Sequence, residues 1–275
     1  MIRGALAAAA SGLLLAAPGA AAAAPAVHAH RGGPFVAGRA TYAEETLPAF
    51  RAAAQRGFVL ELDTRVTQDG VIALHDATLD RTTPCSGRAA DMTMAAIAAC
   101  PSDVLGSPGS ILGWRPKEGG PPPPPLADVL ALARRQRVTV NVELNDFDGA
   151  GPATQRVLDV IAAAGLPRRR LIVQSFFAPN LALARQRLPG AALTMLTLKA
   201  SQADAIAAAR AARATWVSPQ WPVPRSFVRR AHRANLKVVP FTLDTRFAVR
   251  TAARIGVDAL ITDDPVMARR ALRRR

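Results

Sequence analysis

Two acids stand two residues apart in Glu61-Leu62-Asp63, at the end of an otherwise apolar run over 58–63. On a β-strand this spacing turns both carboxylates to one side of the chain. Like charges held so close are costly unless a cation neutralises them. A third acid, Glu143, lies near the end of a second apolar run, VTVNVEL at 138–144. Three carboxylates without cysteine ligands describe a hard-cation site, so Ca²⁺ or Mg²⁺ is expected rather than Zn²⁺. Of the four histidines, His30 and His75 fall at the ends of extended runs beside these acids. A pair of imidazoles near a metal suits proton transfer around neutral pH. Arg31, next to His30, offers a forked donor to a phosphate. His28, one strand step deeper, and His232, on a helical stretch, read as bystanders.

Elements must bring those side chains together. Strand-like runs at 26–31, 58–63, 138–144, 171–175, 192–196, 215–217, 237–241 and 259–262 alternate with Ala-rich helical stretches. The helical stretches fall at 46–56, 128–135, 152–164, 179–188, 201–212, 224–234 and 246–255, and Pro265 opens a last helix at a favoured first-turn position. Eight strands in strict alternation with helices predict an α/β fold, a TIM (β/α)8 barrel in preference to a doubly wound open sheet. The acids and histidines then sit at the C-terminal ends of strands, the face on which barrels build active sites. One connection is far longer than a single helix needs. Residues 64–137 carry a hairpin, RVTQDGVIALHD, with Asp69-Gly70 as its turn. They also carry both cysteines and the five prolines 121–125, which suit a stiff extended connector. A small insertion after strand two, at about 66–125, is the expectation.

The first 24 residues combine an early Arg3, an apolar run at 5–17 and a Pro18-Gly19 break with small residues beyond it. They read as a removable secretory signal, because the apolar run is short of the roughly 20 residues that a spanning helix needs. A single domain over 25–275 and a periplasmic or secreted location follow. In an oxidising compartment Cys85 and Cys100 commonly close a disulfide, with free thiols or half of a metal site as the competing readings. The net charge is +15, but the arginines are scattered and few aromatics lie among them. That pattern does not describe a specific nucleic-acid surface. A solvated basic surface that draws in anionic substrates is the better reading.

Taken in order, HRG at 30–32, EETLPAF at 44–50 and GFVLELDTRVTQDGVIALHDATLDRTT at 57–83 resemble the glycerophosphodiester phosphodiesterase family. VNVEL, IVQSF at 172–176 and GVDALITDDP at 256–265 extend the resemblance over nearly the whole chain beyond its first 24 residues. The resemblance implies a TIM barrel and metal-dependent hydrolysis of glycerophosphodiesters to an alcohol and glycerol 3-phosphate. It assigns His30 and His75 as acid and base, and Glu61, Asp63 and Glu143 as metal ligands. Arg31 would contact the phosphate and Glu44 would position Arg31 or the metal shell. Three positions depart from the family pattern: Glu45 replaces an asparagine, Asn145 a lysine on the substrate side, and Phe241 a tryptophan. They bear on which headgroup is accepted. The partner expected is a small-molecule phosphodiester, with no obligate protein partner. Two alternatives stand beside it. One is a phospholipase D-like or C-like lipid phosphodiesterase making peripheral lipid contact through an apolar lip at 108–114 or 221–224. The other is a silent phosphodiester-binding protein, against which the presence of both histidines argues.

Overall fold

Short apolar runs bounded by Gly, Pro and charged turns form the strands of this chain, and Ala- and Arg-rich stretches form its helices. A computed structural model describes residues 24–103, 120–145, 149–198 and 204–273. The first half comprises β1 (Ala26–Ala29), the ribbon β2 (Phe35–Val36) and β3 (Arg39–Ala40), α1 (Leu47–Gln55), β4 (Val59–Val66), β5 (Val71–Ala73), α2 (Met94–Ile97) and α3 (Leu126–Gln136). There follow β6 (Val140–Glu143), α4 (Pro152–Ala163), β7 (Leu171–Ser175), α5 (Ala178–Arg187), β8 (Ala192–Thr197) and α6 (Ala205–Ala211). The last elements are β9 (Trp216–Pro219), α7 (Arg225–Arg233), β10 (Lys237–Val238), α8 (Arg246–Ile255), β11 (Ala259–Thr262) and α9 (Pro265–Arg273).

Eight of these strands are parallel neighbours in the order β10-β9-β8-β7-β6-β4-β1-β11. The sheet curls until its two edges meet. There Asp258 N–H donates to the Val238 carbonyl, Ile261 N–H to that of Pro240 and Leu243 N–H to that of Ile261, at 3.0, 3.0 and 2.9 Å. The result is the expected (β/α)8 barrel. Outward-facing Leu60 and Leu62 are fully buried in one core with Phe50, Val129 and Leu130 of the flanking helices. Each such side chain contributes about 1.5–3 kcal/mol on leaving water.

Several strand ends differ from the sequence expectation, three of them for a clear physical reason. β1 stops at Ala29, because Arg31, Gly32 and Gly33 take φ values of 51°, 86° and 71° and turn the chain across the barrel mouth. A Cβ on Gly32 would lie 2.8 Å from the Ala49 Cβ, and one on Gly33 2.7 Å from Pro265 Cγ. The glycine pair therefore lets the His30-Arg31 turn pack closely on α1 and α9. β4 continues to Val66 because β5 pairs with it antiparallel. β10 ends at Val238, short of Pro240, which has no N–H for a ladder.

Beyond the hairpin the chain builds a satellite core of Ile72, Leu74, Leu79, Ala89, Ile97 and Cys100. The disulfide Cys85–Cys100, with Cα atoms 5.8 Å apart, ties it together. The proline run lies alongside as acceptor only: Pro121 and Pro124 carbonyls take the N–H groups of Ser102 and Ala73 at 3.1 and 2.9 Å. The apolar stretch 108–114 and residues 1–23 of the expected signal lie outside the described residues. Within the described residues, no helix is long and apolar enough to cross a membrane.

Candidate active site at the barrel mouth

Strand register assembles the site. β4 and β6 align Glu61 with Asn141 and Asp63 with Glu143, and β7 continues the row by aligning Gln174 with Glu143. Asp63 and Glu143 are thus neighbours across a ladder, both near the C-terminal ends of their strands. Ligand oxygens of Glu61, Asp63 and Glu143 all lie within 4.8 Å of one another, and the three side chains are buried. Gln174 Nε2 bridges two of them, donating to Glu61 Oε1 at 2.8 Å and Glu143 Oε2 at 3.2 Å. Its own carbonyl accepts from Asn141 Nδ2 at 2.6 Å, and that amide nitrogen lies 3.4 Å from His28 Nδ1. The Arg31 backbone N–H donates to the other Glu61 oxygen at 2.9 Å.

Electrostatics show how strained this cluster is without a cation. Burial pushes the Glu61 carboxyl up to about 7, His30 nearby acting against that rise and Asp63 adding to it. Burial, followed by the charges of Asp63 and Glu61, raises Glu143 well above the carboxylate range. Arg31 Nε lies 3.3 Å from Asp63 Oδ2 without forming an aligned hydrogen bond, so that buried oxygen has no hydrogen-bond partner. A divalent cation fits here: the donors are all oxygen, they converge, and one is left unsatisfied. Such a set suits Ca²⁺ or Mg²⁺.

Both histidines are held through Nδ1 by a carboxylate. The pairing of β1 with β11 aligns Ala29 with Thr262, so the residues that follow, His30 and Asp263, lie side by side. His30 Nδ1 is 2.5 Å from Asp263 Oδ1. Asp244 supports the pair by accepting the Asp263 N–H at 2.8 Å. Burial and the Arg31 charge disfavour a charged His30, yet Asp263 and Glu61 outweigh them and raise its pKa to about 9. His75 follows β5 on the insertion, partly exposed, with Nδ1 2.6 Å from Asp76 Oδ1. In each case Nδ1 donates its proton to the carboxylate, which leaves Nε2 for chemistry.

A chain of ion pairs joins the two histidine positions. Asp76 accepts from Arg81 Nε at 2.5 Å; Arg81 forks onto Glu44 at 2.6 and 3.1 Å; Glu44 accepts from Arg31 Nη1 at 3.0 Å. Burial opposes the Glu44 charge, but Arg31 and Arg81 prevail and hold its carboxyl down at about 2. Glu44 therefore fixes Arg31 in place. Asn145, expected on the substrate side, donates its amide nitrogen to the His75 carbonyl at 2.9 Å, which Arg65 also grips. His232 lies away from the mouth, paired with Asp258 at 2.9 Å. Trp221, one of the expected lip residues, packs against the main core.

Asp263, Asp76, Arg81, Gln174 and Asn141 were not among the residues expected to work. For Asp76 and Arg81 there was a signal, since HDATLDRTT puts an acid beside His75 and a cation five residues on. Asp263 lies 233 residues from His30, and only the pairing of the first barrel strand with the last brings them together.

Residues 30–267 match the profile of the "Glycerophosphoryl diester phosphodiesterase family". A glycerophosphodiester phosphodiesterase of Bacillus altitudinis is 27% identical over 244 residues, covering 87% of this chain and 94% of the relative. A crystal structure of a putative glycerophosphoryl diester phosphodiesterase from Silicibacter pomeroyi superposes with a TM-score of 0.76 at 23% identity, covering 92% of this chain and 94% of that one. An Oleispira antarctica phosphodiesterase, solved in complex with its product sn-glycerol-3-phosphate, superposes with a TM-score of 0.73 at 22% identity over 91% and 97% of the two chains.

Proposed function

This chain belongs to the glycerophosphoryl diester phosphodiesterase family, and from that premise we propose that it hydrolyses glycerophosphodiesters to an alcohol and glycerol 3-phosphate, using a divalent cation and two histidines. The single observation that carries the reading is the convergence of Glu61, Asp63 and Glu143 beside a carboxylate-held His30 at one end of the barrel. Bound by those three acids, Ca²⁺ or Mg²⁺ would supply electrostatic stabilisation for charge growing on the phosphoryl oxygens. Arg31, immobilised by Glu44, adds a fixed positive group on the same side. His30 is charged at neutral pH and is suited to protonate the leaving alkoxide. His75 then takes the proton from the nucleophile, a water or a neighbouring substrate hydroxyl. Asp263 fixes the orientation of the charged His30 ring, and Asp76 holds His75 in the tautomer whose Nε2 can accept a proton. Asn145 and Arg65 fix the His75 backbone.

The disulfide Cys85–Cys100 supports an oxidising compartment, periplasmic or secreted, for a domain spanning 25–275. A second reading, diesters that keep an acyl chain and peripheral contact with lipid, is favoured by one observation. Leu198 and Phe247 are the exposed large apolar side chains among the described residues, at 52% and 75%. Leu198 follows β8 and Phe247 opens α8, so both lie on the mouth side.

The deciding experiment is alcohol release from glycerophosphocholine and from a lysophospholipid, with Ca²⁺, with Mg²⁺ and with chelator, for the native protein and Glu61→Gln. Cation-dependent turnover lost in the variant is expected. Full activity in Glu61→Gln with unchanged cation affinity would remove the metal assignment. Preference for the lysophospholipid would select the second reading.

A further inference from the structure

The arginines that read as scattered along the sequence are gathered by the fold. Helices α7, α8 and α9 carry ten arginines and no acid. Nine of the ten are exposed, and none is ion-paired with a carboxylate among the described residues. The three helices form one wall where the barrel closes, since α7 packs on β10, α8 on α9 and α9 on β1. Like charges concentrated on one face repel one another and raise the potential over it, so the wall attracts anions.

Within that wall one groove has the make-up of a phosphate site. It lies between α8 and α9, has a volume of about 220 Å³ and is lined by Arg246, Arg250, Arg270 and Ala271. Arg246 and Arg250 are four apart on α8 and so share a face. Arg250 Nε donates to the Ala271 carbonyl at 3.5 Å, which directs that side chain along the groove. Guanidinium forks match phosphate oxygens, and here three of them meet with no carboxylate between. Phe247, 75% exposed, follows Arg246 and stands three residues before Arg250, on adjoining helix surface. Cations beside an exposed apolar ring are what binds the headgroup boundary of an anionic bilayer. A nucleic-acid surface would instead interleave several stacking rings with its cations, and α7 to α9 expose one.

We propose that this wall is a docking surface for an anionic phospholipid bilayer, with a lipid phosphate held among Arg246, Arg250 and Arg270 and the Phe247 ring sunk into the headgroup boundary beside it. Because α8 begins on the mouth side, docking brings the rim of the barrel mouth to the bilayer. The docking goes beyond the reading of the site above and holds whichever diester the mouth cleaves.

The test is cosedimentation with vesicles of phosphatidylcholine alone and of phosphatidylcholine with about one third phosphatidylglycerol, at low and high salt. Native protein should bind the anionic vesicles at least about tenfold tighter than the neutral ones, with affinity falling as salt rises. The groove variant Arg246→Gln/Arg250→Gln/Arg270→Gln should lose about tenfold or more, and Phe247→Ser about fivefold. A control, Arg134→Gln/Arg135→Gln/Arg137→Gln, removes the same charge from exposed positions at the end of α3, across the barrel, and should stay within about twofold. Equal binding to both vesicle types, no binding to either, or equal losses in the two triple variants overturns the docking surface. Tighter binding of a single-stranded oligonucleotide than of anionic vesicles, lost in the groove variant, overturns it in favour of nucleic acid. Binding of inorganic phosphate without binding of vesicles overturns it in favour of a small-anion site. If the groove variant does not fold, Phe247→Ser and the native preference between vesicles decide alone.

Discussion

His28 and His30 are two residues apart on one chain direction, yet the barrel interior and the barrel mouth hold the same imidazole in opposite states. At His28, burial acts alone: the ring meets the Asn141 amide nitrogen at 3.4 Å, and its pKa is lowered to about 4. At His30, burial acts too, but Asp263 and Glu61 overcome it and the ring stays charged well past neutrality. Desolvation is common to both sites, so the neighbouring carboxylates make the difference. Inside the barrel, neutral Asn141 and Gln174 meet the polar needs of His28 and of the acids above. At the mouth, Asp263 engages His30, Asp76 engages His75 and Arg81, and Glu44 engages Arg31 and Arg81. A functional region is here distinguished from a structural one by how its charges are paired.

The contrast can be broken most severely at the mouth. His30→Ala should lower kcat toward glycerophosphodiesters by about 10³-fold, the scale of a lost general acid. His28→Gln, in the same assay, should stay within about threefold, since it removes no group in reach of the reacting phosphate. Equal losses in the two variants would mean that the interior imidazole works as hard as the mouth one. A subtler change keeps the ring and removes what sets its state. Asp263→Asn should cost about 10²-fold in kcat by loosening the orientation of His30 and removing the charge that favours its protonated form. Because Asp263 raises the His30 pKa, the variant's pKa must fall. An acid is needed protonated, so the descending alkaline limb of the rate profile should move to lower pH. A limb that stays in place would show that Asp263 does not set the charge of His30.

How much of this arrangement was legible beforehand depends on the range of the interaction. Periodicity is local, and the eight strands and the shared side of Glu61 and Asp63 follow from it, while the hairpin turn expected at Asp69-Gly70 is a four-residue loop, 67–70, closed by Val66 against Val71. The ends of β1 and β10 are overrun, because the left-handed turn at Arg31 and the missing N–H of Pro240 stop strands inside runs that still read as extended. Partnerships across the barrel were not legible. Asp263 reaches His30 only through the register of β1 with β11, and Gln174 reaches Glu61 only through two successive ladders. Asn145 was read from the family pattern as a lost cation beside the phosphate, while its contact is to the His75 carbonyl, which depends on how the insertion folds back. Glu45 was visible as a departure, but its burial against Asp63 was not.

The smallest expected effect tests the interior side of the contrast. An unfolded His28 takes up a proton near 6.5 and the folded one only near 4, so between those values the unfolded chain binds more protons. Stability from a neutral, buried His28 is therefore complete above about pH 6.5 and drains away as the pH falls toward 4, with about 2 kcal/mol gone at pH 5. The acids at the mouth run the other way. Glu61, pushed up to about 7, binds its proton in the fold before the unfolded chain does, and so adds stability as the pH falls from 7 toward 4.5. Two opposed trends in one window make the native curve uninformative alone. The difference between native protein and His28→Gln isolates the first, best taken in saturating cation so that the carboxylates stay ionised. Urea unfolding at pH 7 and pH 5 should show the variant losing about 2 kcal/mol less than native protein on acidification. Parallel losses would mean that His28 takes up its proton in the folded barrel as readily as in the unfolded chain. Burial would then not be what separates the interior from the mouth.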